Sequence, residues 1–258
     1  MLFKKLSMLA AAGALCIVVG ACGGADGASR DPLTQVDYTK FRLSFKDMYS
    51  LANPHLLARR VFYRKPSEGP DAAWFDAVKQ GNLAQVKAMV AQGQNLEAKD
   101  TSVPPGAAAS QGALGQTALG WAAFIGYPDM VRYLVEQGAN LHTTDTGDVY
   151  HAVKAAVLGG NVEVIQYLYG KLGTGPNGVD WNAREDDGET LVLVGAVLGR
   201  YDFVKWVLQF KPDLNVVSYQ PKNASPLSGA CEEGFYDVAQ LLIENGAINH
   251  KTGKSTCE

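Results

Sequence analysis

Five glycines punctuate the chain: Gly81, Gly126, Gly160, Gly199 and Gly234. Each closes a short apolar run: Trp74-Phe75-Asp76-Ala77-Val78, Leu119-Gly120-Trp121-Ala122-Ala123, Val153-Lys154-Ala155-Ala156-Val157, Val192-Leu193-Val194-Gly195-Ala196 and Leu227-Ser228-Gly229-Ala230-Cys231. A second amphipathic run follows every glycine, at Val86 to Val90, Met130 to Val135, Val164 to Leu168, Phe203 to Leu208 and Val238 to Ile243. The glycines stand 45, 34, 39 and 35 residues apart. A repeat of this length holding two short helices cannot bury its own apolar face, so the units must stack. Small residues such as Ala122 and Ala123 let the paired helices approach closely, and a glycine after a helix permits the left-handed residue that ends it.

This pattern resembles the ankyrin repeat, whose signature is Thr-Pro-Leu-His-x-Ala within a period of about 33 residues. Thr117-Ala118-Leu119 and Ser225-Pro226-Leu227 are the nearest matches, and Gly138-Ala139-Asn140-Leu141 matches the loop after the second helix. The resemblance implies an all-α solenoid of about five helix-turn-helix repeats over residues 71–250, preceded by an N-terminal helical extension and followed by a tail at 251–258. Against the family period, the largest insertion falls at residues 101–112 and the next at 171–178. In this family the loops between repeats, the fingers, lie on the binding edge. The first insertion therefore reads either as a functional loop or as a tolerated surface excursion.

The start of the chain is of another kind. Residues 1–5 are basic and Leu6 to Ala21 is an apolar run, shorter than the ~20 residues a spanning helix needs, so residues 1–21 read as a secretory signal. The run ends in Val19-Gly20-Ala21-Cys22, which resembles a bacterial lipobox. That resemblance implies cleavage before Cys22 and acylation of its thiol. A plain signal peptide, or an uncleaved anchor containing a cysteine, is the alternative. Residues 22–36 read as a flexible tether. Gly23 after the cysteine points, by enterobacteria-like sorting, to the outer membrane, with the chain lipid-anchored in the cell envelope and facing the periplasm. In the extension at 37–70, Tyr38, Phe41, Phe45, Met48, Tyr49 and Ala52 recur at helical spacing, and Arg59, Arg60, Arg64 and Lys65 follow. This helix is expected to cap the first repeat; attraction of the basic cluster to a membrane surface is the rival reading.

Removing Lys4 and Lys5 with the leader takes the formal charge from −3 to −5, which argues against nucleic acid as a partner. No phosphate loop, nucleophile elbow or metal-spaced His/Cys pair occurs, so no enzyme, cofactor or small-molecule substrate is expected. His55, His142, His151 and His250 are isolated in sequence. His151 replaces the signature threonine, and His142 and His250 are expected in solvent. Arg184-Glu185-Asp186-Asp187-Gly188-Glu189 reads as a solvated finger able to meet a basic partner. Cys231 is expected to be a small buried residue, with a link to Cys257 left open.

Ankyrin stacks bind proteins through their fingers and the concave face of their first helices. On that face the resemblance places the two residues before each helix-ending glycine. They are polar at the ends (Lys79-Gln80 and Glu232-Glu233) and apolar between (Phe124-Ile125, Leu158-Gly159 and Val197-Leu198). With Tyr127 and Tyr201, the residues Phe124, Ile125, Leu158, Val197 and Leu198 are expected to form an apolar docking patch. A tethered, non-catalytic binder in the periplasm is similar to ankyrin lipoproteins that act as immunity proteins against toxic secreted effectors such as type VI lipases. An envelope scaffold is the second reading.

Overall fold

The computed structural model describes residues 66–100, 116–142, 152–174 and 178–258. The expectations for the leader, the tether, Cys22, residues 37–65 of the extension, His55, His151 and the 101–112 insertion lie outside the described residues.

Ten α-helices make five pairs among the described residues. They are α1 (Ala72–Lys79) with α2 (Leu83–Ala91), α3 (Ala118–Ile125) with α4 (Pro128–Glu136), α5 (Ala152–Gly159) with α6 (Val162–Leu172), α7 (Leu191–Val197) with α8 (Tyr201–Val207), and α9 (Pro226–Glu232) with α10 (Tyr236–Glu244). The first helices stack in sequence order as an inner row, α1 on α3 on α5 on α7 on α9, while α4, α6, α8 and α10 form an outer row behind them. The all-α solenoid expected from the period is the observed fold.

Local chemistry sets the helix ends. Thr117, Thr190 and Ser225 hold the same place in their repeats, and each side chain accepts a backbone N–H three residues on, at 3.2, 3.3 and 3.3 Å. Asn82 and Asn161 do the same for outer helices α2 and α6. Each such cap satisfies one of the donors a helix start leaves orphaned. Gly126 ends α3 in the left-handed conformation at φ 89°, which a side chain would strain.

The core runs along the seam between the rows. Trp74, Leu119, Leu134, Ile165, Leu168 and Phe203 are buried there, as are Ala122 and Ala123, whose small size permits the approach. Inner helices meet most closely at Gly159: a Cβ built there would lie 1.9 Å from the Phe124 carbonyl oxygen. In the outer row, Trp181 from the third inter-repeat loop stacks on Tyr169 at 5.4 Å and on Phe210 at 5.8 Å, with Trp206 edge-on at 5.6 Å. Trp181 thereby ties α6 to α8, and Leu208–Phe210 adds a 3₁₀ turn to α8.

The C-terminal tail settles what the sequence left open. Cys231, half-buried on α9, is bonded to Cys257 with S–S 2.05 Å. Cys231 was expected to be a small buried residue with the link to Cys257 left open; the 26-residue separation hides that the tail doubles back. Asn249 N–H donates to the Lys254 carbonyl at 2.8 Å, and Lys251 pairs with Glu232 at 2.5 Å. His250 is half-buried, not solvated, with Nδ1 3.2 Å from Ser225 Oγ. His142 is exposed as expected.

Candidate functional site

Each inter-repeat loop begins with the same short turn. Asn95, Asn140, Asp180 and Asp213 each accept, on a side-chain oxygen, the backbone N–H two residues on, at 2.8–3.0 Å. Asn and Asp favour this turn because the side chain mimics a backbone acceptor. The turns are then laddered to one another. Asn140 N–H donates to Glu97, Asp213 N–H to Asn182 and Ile248 N–H to Asn215, each at 2.8 Å. Successive fingers are thus held in register by side chains that the sequence offers at matching positions.

Beyond this ladder, the fingers after repeats three and four are joined into one body. Tyr219 N–H donates to the Asp187 carbonyl at 2.8 Å. The Arg184 guanidinium donates to the Val217 carbonyl and lies over the Tyr219 ring, 4.8 Å from its centroid. Lys222 pairs with Asp187 at 2.6 Å and with Glu189 at 3.2 Å. Gly188, at φ 78°, sits where a Cβ would come within 2.9 Å of Tyr219 ring and backbone atoms. Below them Glu185 reaches back to Lys154, a buried cation on α5.

The electrostatics of this cluster follow from burial and pairing. Burial pushes the Glu185 carboxyl up to about 7, although the Lys154 ammonium pulls the other way. At Asp187 burial is outweighed by hydrogen bonds from Lys222 and the Glu189 backbone, and its carboxyl is held below the usual range. Burial also opposes the charge on Lys222, and bonds to Asp187 and Glu189 more than offset it, raising its pKa. The acidic run read as a solvated finger is therefore largely spoken for: its basic partners are Lys154 and Lys222 of this chain. What the joined fingers present to solvent is Tyr219, 54 % exposed, beside Arg184, Asp186, Gln220, Pro221 and Lys222.

The apolar patch expected on the inner helices is not open surface. Phe124, Ile125, Tyr127, Leu158, Val197 and Leu198 are all buried, none more than 8 % exposed, and Tyr201 is half-buried. Part of the reason is packing between repeats. The Phe124 ring meets Trp121 edge-on at 6.1 Å and its carbonyl abuts Gly159. The Tyr127 hydroxyl donates to the Lys79 carbonyl at 2.9 Å, and Val197 fills the space beside Gly229. Arg200, itself buried, donates from Nε and Nη2 to the Leu158 carbonyl at 3.2 and 2.6 Å. The polar end expected at Lys79 is buried too. Lys79 pairs with Asp100 at 2.5 Å with both side chains at 1 % exposure or less, and its ammonium lies 4.9 Å from the Trp121 ring centroid.

Sequence reasoning missed Lys154, Lys222, Tyr219 and Arg200. For Lys154 a signal was present, since a lysine inside Ala-Val-Lys-Ala-Ala-Val-Leu must find a carboxylate once that helix is packed. Tyr219 carries no periodic signal, being a loop residue placed by a neighbouring finger. Among the described residues no group of three or more His, Cys, Asp or Glu side chains is placed to hold a metal ion, and no helix is long and apolar enough to cross a membrane. The joined fingers thus hold paired charges beside the exposed Tyr219 ring.

The family model described as "Ankyrin repeats (3 copies)" matches residues 74–177 and again 153–252. Among curated proteins, the chain is 30% identical over 125 residues to alpha-latrocrustotoxin-Lt1a of Latrodectus tredecimguttatus, covering 48% of this chain and 8% of that protein. It is 27% identical over 158 residues to the ankyrin repeat and KH domain-containing protein mask-1 of Caenorhabditis elegans, covering 52% and 6%. To palmitoyltransferase AKR1 of Lachancea kluyveri it is 29% identical over 136 residues, covering 53% and 18%. The matched stretches thus span less than a fifth of each of these relatives.

Proposed function

Because the chain belongs to the ankyrin-repeat family, whose repeats are typically non-catalytic protein-binding modules, we propose that it binds another protein through the joined fingers of its third to fifth repeats. The observation that carries this reading is Tyr219. It is the exposed aromatic of a loop whose backbone and neighbours are fixed by Asp187, Arg184 and Lys222. Tyrosine and arginine dominate binding hot spots, and a prearranged contact loses little conformational entropy on association.

The finer reading is an immunity protein. The lipobox-like Val19-Gly20-Ala21-Cys22 supports a lipid anchor in the bacterial cell envelope, and the Cys231–Cys257 disulfide fits an oxidising compartment such as the periplasm. A tethered binder there would neutralise a toxic secreted effector, such as a type VI lipase, by direct binding. An envelope scaffold supporting a periplasmic enzyme or assembly is the second reading.

A co-culture experiment separates them. Cells lacking this gene are expected to be killed by sibling cells only when those siblings carry the effector. Wild type restores survival, and Tyr219→Ala with Arg184→Ala does not, although the double variant is made at the wild-type level. A growth or envelope defect that appears without any attacking neighbour would favour the scaffold, and full rescue by the double variant would remove the fingers as the binding surface.

A further inference from the structure

Residues 249–257, which follow α10, fold back onto α9, and two kinds of contact hold them. Within the segment Asn249 is the hub, and it is buried. Its backbone N–H donates to the Lys254 carbonyl at 2.8 Å, and its carbonyl accepts from Gly253 at 2.8 Å and from Thr252 at 3.2 Å. Its side chain accepts from the Lys251 N–H at 3.0 Å and donates to the Thr256 carbonyl at 3.4 Å. These bonds shape the turn without attaching it to α9.

Among the described residues, attachment to α9 rests on three polar or covalent contacts. His250 Nδ1 lies 3.2 Å from Ser225 Oγ at the start of the helix, and its Nε2 has no hydrogen-bond partner among those residues. Lys251 pairs with Glu232 at the end of the helix, with both side chains exposed. Between these two stands the Cys231–Cys257 bond. One side-chain hydrogen bond and one exposed ion pair contribute little, so the covalent bond is the main fastening.

That bond is also placed where it can be reached and cut. Residues 251–256 are all exposed, and Cys231 and Cys257 are each half-buried. The core of the fifth repeat is built from Leu227, Ala230, Val238, Leu242 and Ala247, and both cysteines pack against the core from its edge. Exposed disulfides are the labile, regulatory kind, and segments with few buried contacts open while the rest of a fold stays closed.

We propose that Cys231–Cys257 is a redox-exchangeable clasp whose co-reactant is a dithiol, and that its reduction releases residues 250–257 from α9 while the five repeats stay folded. One thiolate of the dithiol attacks a sulfur of the pair, forming a mixed disulfide and expelling the other cysteine as a thiolate. The second thiolate of the dithiol then displaces the remaining cysteine. The dithiol leaves as a disulfide, and its two electrons and two protons end on Cys231 and Cys257 as thiols. In the open state Cys231 presents a thiol fixed on a helix, and Cys257 carries one on the freed segment. The Tyr219 loop is tied by Asp187, Arg184 and Lys222, none of them in the clasp. The clasp and the finger contact therefore stand or fall separately.

The test treats the folded full chain, in detergent micelles without denaturant, with dithiothreitol, then alkylates it with iodoacetamide and follows amide hydrogen exchange. Peptide mapping, which reads Cys16 and Cys22 apart, is expected to find Cys231 and Cys257 alkylated. Exchange across residues 249–257 should rise ~10-fold or more, while α1 to α10 and the Tyr219 loop keep their protection. Cys231→Ser with Cys257→Ser should show the same exchange without reductant. A bond that survives dithiothreitol until the chain unfolds would overturn the proposal. So would reduction that leaves residues 249–257 protected, or reduction that also melts α9 and α10, since the bond would then be a structural staple.

Discussion

Gly159 gives the sharpest test of the stack. It is the last residue of α5, and replacing glycine by alanine in a helix ordinarily stabilises by ~0.5–1 kcal/mol. Here the added Cβ would lie 1.9 Å from the Phe124 carbonyl oxygen and 2.7 Å from its carbon, well inside the 3.0 Å floor for such contacts. Both offending atoms belong to backbone, so no side chain can swing aside, and α3 and α5 must separate by about an ångström. Overpacking of this kind costs roughly 1–3 kcal/mol, which outweighs the propensity gain and leaves a net loss of ~1–2 kcal/mol. For a folded unit of this size that lowers Tm by ~3–8 °C. Gly170→Ala is the matched control. It lies within outer helix α6 with nothing within 4 Å of its would-be Cβ, and it should raise Tm by ~1–4 °C. Calorimetry on both variants decides: if Gly159→Ala melts at or above wild type, the inner helices do not approach as closely as this argument requires.

Two further outcomes follow from buried charge. Lys79→Met removes the cation from Asp100, a carboxylate 1 % exposed that also accepts from Trp121 Nε1–H at 3.0 Å, and should destabilise by ~3–5 kcal/mol. Lys79→Met with Asp100→Leu should lose less than the single variant in urea titration, and an equal or larger loss would show that the pair is not the cause. Glu185 titrates at about 7 in the folded chain against an ordinary 4.5. Between those values the folded state holds a proton that the unfolded state releases, so stability falls as pH rises through that window. Glu185→Gln, neutral throughout, should lose less stability than wild type between about pH 5 and about pH 7.5, and identical slopes would refute the burial assigned to this carboxyl.

The repeats were legible because their signals are local and recur. Thr117, Thr190 and Ser225 cap, Gly126 and its equivalents terminate, and Ala122 with Ala123 admits a neighbour, all at fixed offsets. The site was less legible because its parts are fixed across repeats. Family spacing correctly put Phe124 and Leu198 at inner-helix ends, yet burial there depends on what lies over those ends, which spacing cannot state. Cys231 and Cys257 look unrelated until the tail folds back. Lys154 and Glu185 stand 31 residues apart, and only the stacking of one finger under one helix makes them partners.

The same tail has a consequence for how such a chain meets proteases. A linear stack has no ring of contacts holding its ends, so terminal repeats fray first and offer degradation a starting point. Here the Cys231–Cys257 bond ties the closing residues to the inner helix of the last repeat. An unfoldase pulling on the segment after the fifth repeat would meet a covalent loop before it could peel α10 away. The fifth repeat is thereby braced covalently from its inner helix to the segment that follows its outer helix.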